Sequence, residues 1–157
     1  MQTIPIIYSR SNLPLSLAIR TVDRGPVKCP FSHVGKITPD GNNVIEALGG
    51  RGVVTTPLDE FKARSTAYQM GEFPVWDSPN AAYSRARQQL GKRYDFKAVI
   101  GLGLPFIGRK WDDPEKWFCS ELLIYSSGMV EEHYANAIGV AYCYALTRNK
   151  QEVCYAV

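Results

Sequence analysis

Hydrophobic and polar positions repeat with two different periods along this chain, and the changes of period divide it into elements. The run Ile4-Pro5-Ile6-Ile7-Tyr8 is short and apolar, which predicts a strand. Residues 12–21 set Leu13, Leu17 and Ile19 among polar neighbours, a helical spacing, with Ser11 or Asn12 as the cap. "SHVGKITPDGNNVIEAL" predicts a hairpin whose strands, 33–38 and 43–48, flank the turn cluster Pro39-Asp40-Gly41-Asn42. "GVVTT" at 52–56 predicts a third strand. "TPLDEF" carries a helix start, with Thr56 as N-cap, Pro57 at the first helical position and Asp59 at the third.

Farther along, residues 64–70 read as another strand. "DSPNAAYSRARQQLG" is the clearest helix, opened by Ser78-Pro79 and closed by Gly91. Residues 95–103 read as an apolar helix weakened by two glycines, followed by the loop "PFIGRKWDDPEK". A helix follows Cys119 and ends at Gly128; an apolar run at 138–146 and a last strand at 153–157 complete the chain. Strands and helices are mixed without βαβ alternation. The expected class is α+β, an antiparallel sheet packed against helices in one domain covering residues 1–157.

Composition narrows this picture only a little. At 157 residues with 45% hydrophobic and 21% charged positions, the chain suits one folded domain with a real core. Its net charge of +3 is spread along the sequence, which argues against nucleic acid as a partner. No segment has the length of a membrane span, and Pro5, Tyr8, Ser9 and Arg10 break any signal-peptide pattern. These features predict a protein made in the cytoplasm; phage-associated or non-classical export would leave no such mark. Cys29, Cys119, Cys143 and Cys154 form no CxxC pair, and there are two histidines, so neither a zinc site nor a disulfide framework is expected.

Candidate chemistry begins at "WFCSELLIYSSG". Cys119 falls at the N-cap or the first residue of a helix, where unpaired backbone N–H groups and the helix dipole favour an anion. Cys119, Leu122, Leu123 and Ser126 share one helical face, a pattern equally suited to a packed structural thiol. A nucleophile needs a base. In the hairpin, His33, Gly35 and Ile37 share one face, and Val44, Glu46 and Leu48 share another. A turn closed by two or four residues sets His33 and Glu46 on the same side, opposite or one diagonal apart, at roughly 4.5–8 Å between Cβ atoms. A slip of one residue separates them. His33 could equally be a surface histidine at a strand end, and Glu46 a solvated charge.

Four blocks in order, "SHVGKI", "VIEALGGRGVVTTPLDEF", "GKRYDFKAVIGL" and "WFCSELLIYSSG", resemble the circularly permuted NlpC-type papain-like superfamily over residues 30–128. The likeness is greatest to its YiiX-like branch, with lecithin–retinol acyltransferase-like proteins as more distant relatives. The resemblance implies a permuted papain-like fold in which the histidine precedes the cysteine. It implies Cys119 as nucleophile, His33 as base, Glu46 as the third polar residue, and Tyr94 of "RYDF" as a residue that positions substrate or shapes the oxyanion site. The activity implied is cleavage of an amide bond in a peptide-like or peptidoglycan-like substrate through a thioacyl intermediate, with no cofactor. Lipid or thioester acyl transfer on the same triad is an alternative, and a catalytically silent binding or phage structural module is another.

Other features carry blander readings. His133 lies fourteen residues past Cys119 and reads as a surface histidine. Cys29, Cys143 and Cys154 read as core or inert thiols, and Trp111, Trp117 and Phe118 as core packing. Asp112-Asp113 reads as turn chemistry before Pro114, and "GLGLPFIG" lacks the lysine of a P-loop.

Overall fold

A computed structural model of the chain describes residues 1–23, 25–97, 115–130 and 139–156. Among these, an antiparallel sheet of six strands carries the architecture. In chain order the elements are β1 (Thr3–Arg10), α1 (Pro14–Val22), β2 (His33–Ile37), β3 (Asn43–Leu48), β4 (Gly52–Pro57), α2 (Leu58–Ala63), β5 (Ala67–Pro74) and α3 (Pro79–Gln88). Then come β6 (Arg93–Tyr94), β7 (Lys116–Trp117), α4 (Cys119–Ser126), α5 (Val140–Leu146) and β8 (Cys154–Tyr155). The sheet runs β4-β3-β2-β1-β5-β8, and β6 and β7 form a separate parallel pair. The expected α+β class and antiparallel sheet are present.

Strand alternation divides the core in two. Ile4, Ile6 and Tyr8 of β1 join Val34, Ile45 and Ala47 on the face covered by α3, α4 and α5. The intervening Ile7 joins Ile37, Val44 and Phe61 on the opposite face, beneath α2. The turn between β2 and β3 follows the four-residue option: Ile37 pairs with Val44, and the Thr38 N–H donates to the Asn43 carbonyl at 2.8 Å.

Two capping expectations are corrected. The N-cap of α1 is Leu13, with no side-chain cap, because Pro14 fixes the first turn and the Ser11 backbone N–H is taken by Ser16 Oγ at 3.0 Å. The N-cap of α2 is Pro57: Thr56 stays in β4, paired with Val44, so the helix starts one residue late and brings Asp59 and Glu60 into its first turn. The fifth strand begins at Ala67 instead of residue 64, because α2 and its turn extend through Ser65. In contrast, Ser78 caps α3 as expected, accepting from the Ala81 N–H at 3.2 Å. The apolar run near the end is helix α5. Most of the 95–103 helix, residues 105–114 of the loop after it, with Trp111 and Asp112-Asp113, and His133 lie outside the described residues.

Candidate active site

The nucleophile candidate sits where a strand gives way to a helix. Short β7 ends at Trp117, Phe118 is the N-cap, and Cys119 is the first residue of α4. The Glu121 carboxylate reaches back to accept from the Phe118 N–H at 2.8 Å, which fixes this first turn. The helix face expected from spacing is the one used. Cys119, Leu122, Leu123 and Ser126 line a cavity of about 10 Å³ against Val34, Gly35, Lys36 and Ile45 of β2 and β3. Trp117 and Phe118 are buried core residues. The Cys119 thiol is itself buried.

The hairpin delivers the base and its orienting group. Continuing the β2–β3 register from Lys36↔Ile45 sets Gly35 opposite Glu46, so His33 lies one diagonal away. The imidazole Nε2 and Glu46 Oε2 are 2.6 Å apart. Gly35 is required by the packing: a Cβ there would lie 2.3 Å from Val44 Cγ1 and 3.5 Å from Glu46 Cβ. Glu46 is fully buried, whereas the His33 side chain keeps 17% of its surface. Neither residue fits the solvated-charge reading. Cys119 acts on the same ring, its charge and hydrogen bonding favouring the protonated imidazole.

Electrostatics follow from these contacts. Burial opposes a charged His33 ring, but the charge of Cys119, its hydrogen bond and the Glu46 contact outweigh that, lifting His33 up to about 9. Burial also opposes an ionised Glu46. The hydrogen bond and charge of His33, followed by the charge of Arg64, nevertheless hold its carboxyl down at about 2. The pair is therefore an imidazolium and a carboxylate across the neutral range.

Arg64 is a member of this group that sequence reasoning missed. It is the C-cap residue of α2 and donates through a terminal guanidinium nitrogen to the same Glu46 oxygen that His33 contacts. Its guanidinium lies 4.7 Å over the Phe61 ring, and that ring stacks on His33 with centroids 5.7 Å apart. The spacing of Phe61 and Arg64 puts them on one helical side, but nothing local says that this side meets Glu46.

Tyr94 is also at the site. It is buried, its ring packs edge-on against Phe118 with centroids 6.0 Å apart, and its other neighbour is Phe96 at 4.8 Å. Burial, and then the charge of Cys119, raise its phenol. Phe96 is half exposed and, with Leu15 of α1, flanks Gly49 just beyond β3.

The remaining cysteines are free. Cys143 is buried, Cys29 is partly buried, and Cys154 is exposed on the edge strand β8, so the core reading fails for that one. Among the described residues no group of three His, Cys, Asp or Glu side chains forms a metal site, and no helix is long and apolar enough to cross a membrane.

No family model and no curated protein matches this sequence. Among solved structures, the metalloprotein YiiX of Escherichia coli O157:H7, from domain of unknown function 1105, superposes with a TM-score of 0.55 at 25% identity. The chain is a distant structural relative of YiiX. The match covers 80% of this chain and 63% of YiiX, so the chain spans less than two thirds of that protein's length.

Proposed function

We propose that this chain is a cysteine hydrolase of permuted papain-like type that cleaves an amide bond in a peptide-like substrate. The observation that carries the reading is His33. One ring nitrogen bonds a buried carboxylate at 2.6 Å, and the ring contacts a thiol at the start of a helix. A nucleophile, a base and a group that orients the base are the three parts thiol catalysis needs. The order of the chain, with His33 and Glu46 ahead of Cys119, suits the permuted arrangement.

In this mechanism the proton given up by Cys119 resides on His33, and Glu46 holds that imidazolium in place. The thiolate attacks the carbonyl carbon, and backbone N–H groups at the start of α4, including that of Cys119, receive the developing oxyanion. His33 then protonates the leaving amine, and water releases the acyl group from sulfur. Tyr94 positions the substrate beside the thiol. The word metalloprotein belongs to YiiX; here the imidazole and the carboxylate bond each other instead of converging on a shared point, and the proposed chemistry uses the thiol.

Phe96 and Leu15 favour a second reading on the same triad. An exposed aromatic beside an aliphatic wall suits an acyl chain, which points to lipid or thioester acyl transfer.

The experiment has two stages. Cys119 should react with iodoacetamide at pH 6 faster than free cysteine does, and a rate no faster removes the activated thiol. Incubation with muropeptides and with phospholipids then separates the two chemistries. Cleavage should be lost in Cys119→Ala; turnover of neither substrate leaves the silent module standing.

A further inference from the structure

Lys36 is buried with no carboxylate paired to it among the described residues, and the mechanism above does not use it. It lies on β2, three residues after His33, and faces the other side of the sheet, under α4. Its Nζ donates to Ser126 Oγ at 2.7 Å and to the Ala82 carbonyl at 3.2 Å. Ser126 is the last residue of α4, and its hydroxyl in turn donates to the Leu122 carbonyl at 2.5 Å. One strand therefore grips both ends of one helix: His33 meets Cys119 at the start of α4, and Lys36 meets Ser126 at its finish.

The two spans match. The three rises from His33 to Lys36 cover about 10 Å of strand, and the seven rises from Cys119 to Ser126 cover about 10 Å of helix. Sliding α4 along β2 would therefore break the Lys36 contact and displace the thiol from the imidazole together. The cavity between these grips is too small for the helix side chains to repack, since it is bounded closely by Val34, Ile45, Leu122 and Leu123.

We propose that Lys36 is a positioning residue for Cys119: by pinning Ser126 and Ala82 it sets the axial register of α4 on β2, and so the placement of the sulfur against His33. This rests on Cys119 being the activated thiol of the proposed hydrolase. The charged and titratable groups around the Lys36 amine are few. Arg85 of α3 donates to the Ser126 carbonyl at 3.1 Å and pairs with Asp77, the Tyr83 ring lies 5.7 Å away, and Cys119 borders the shared cavity.

The test measures the iodoacetamide rate of Cys119 against pH in wild type, Lys36→Met, Lys36→Arg and Ser126→Ala, beside their melting temperatures. Lys36→Met keeps the aliphatic stem and removes both hydrogen bonds; its rate at pH 6 should fall at least about tenfold, because small misplacements of reacting groups are costly. Ser126→Ala removes half of the grip at little cost in volume and should slow the reaction about threefold. The double variant should react no more slowly than Lys36→Met, as one shared interaction requires. Lys36→Arg, which keeps donors in place, should recover part of the rate. If Lys36→Met fails to fold, Ser126→Ala carries the test alone. A fast wild type with unchanged rates and pH profiles in folded variants overturns the positioning role and leaves the hydrolase intact. A wild type no faster than free cysteine overturns both.

Discussion

The two ends of α4 each receive a basic side chain from β2, partly buried at His33 and buried at Lys36, and their surroundings treat the two in opposite ways. At the start of the helix His33 has Glu46 on one side and Cys119 on the other, and its proton is held up to about 9. At the finish, Lys36 is bonded to a carbonyl and a hydroxyl, and among the described residues no carboxylate pairs with it. Burial, followed by the charge of Arg85, draws it down to about 7. Burial disfavours the charged form in both places. The difference is that His33 is bonded to a counter-charge, whereas the groups bonded to Lys36 are dipoles. One end of the helix keeps charge, as the proposed chemistry requires, and the other is the end that the proposal assigns to holding a position.

Removing the Glu46 anion at the first end should weaken this contrast, and it carries the largest expected effect. Glu46→Gln keeps the shape but leaves Arg64 and His33 facing a neutral amide. Breaking a buried ion pair from one side costs on the order of 3 kcal/mol. By NMR titration the His33 ring should then fall well below its value of about 9. Amide cleavage should drop by about 100-fold, through loss of imidazole orientation. A variant with an unshifted His33 titration would mean that Cys119 alone holds the imidazolium, and that Glu46 is not the orienting group.

The first end was largely legible in the sequence, and the second was not. Local spacing in the hairpin "SHVGKITPDGNNVIEAL" permits a shared side for His33 and Glu46, and the four-residue closure of its turn selects that register. Cys119 at a helix start follows from the apolar spacing after it and from Gly128, which sits at φ 75° where the chain leaves the helix. Arg64 and Lys36 were opaque for one physical reason: their partners are 18 and 90 residues away in sequence. The same limit explains Pro57, where continued pairing of β4 with β3 kept Thr56 in the strand against its local capping preference. Local propensity is a weak prior that tertiary contacts override.

Titrating stability in Lys36→Met sharpens the contrast next. His33 rises from 6.5 to about 9 on folding, so its contribution is complete below pH 6.5 and is lost as the pH climbs through 9. Lys36 falls from 10.5 to about 7, so the cost of burying its charge is relieved as the pH climbs from 7 toward 10.5. The two slopes oppose each other between pH 7 and 9, and wild type should be nearly flat there. Lys36→Met leaves only the His33 slope, so denaturant unfolding should show stability falling by up to about 1.4 kcal/mol per pH unit across that window. At pH 6 the same variant should be more stable than wild type, because the charged form that burial disfavours is no longer there. A more stable protein with a slower thiol would separate holding the position from holding the fold.

The smallest effect belongs to Tyr94, which touches only the first end. Its ring is fixed between Phe96 and Phe118, so Tyr94→Phe keeps the packing and removes only the hydroxyl. A residue that positions substrate beside an already activated thiol should raise KM about threefold and leave kcat nearly unchanged. The iodoacetamide rate of Cys119 should not move, since that reagent is too small to need positioning. A fall in kcat near 100-fold with KM unchanged would instead make the phenol an oxyanion donor, because such donors act only in the transition state. The hydroxyl would then join His33 and Glu46 among the groups that manage charge at the start of α4, and the division between its two ends would be sharper still.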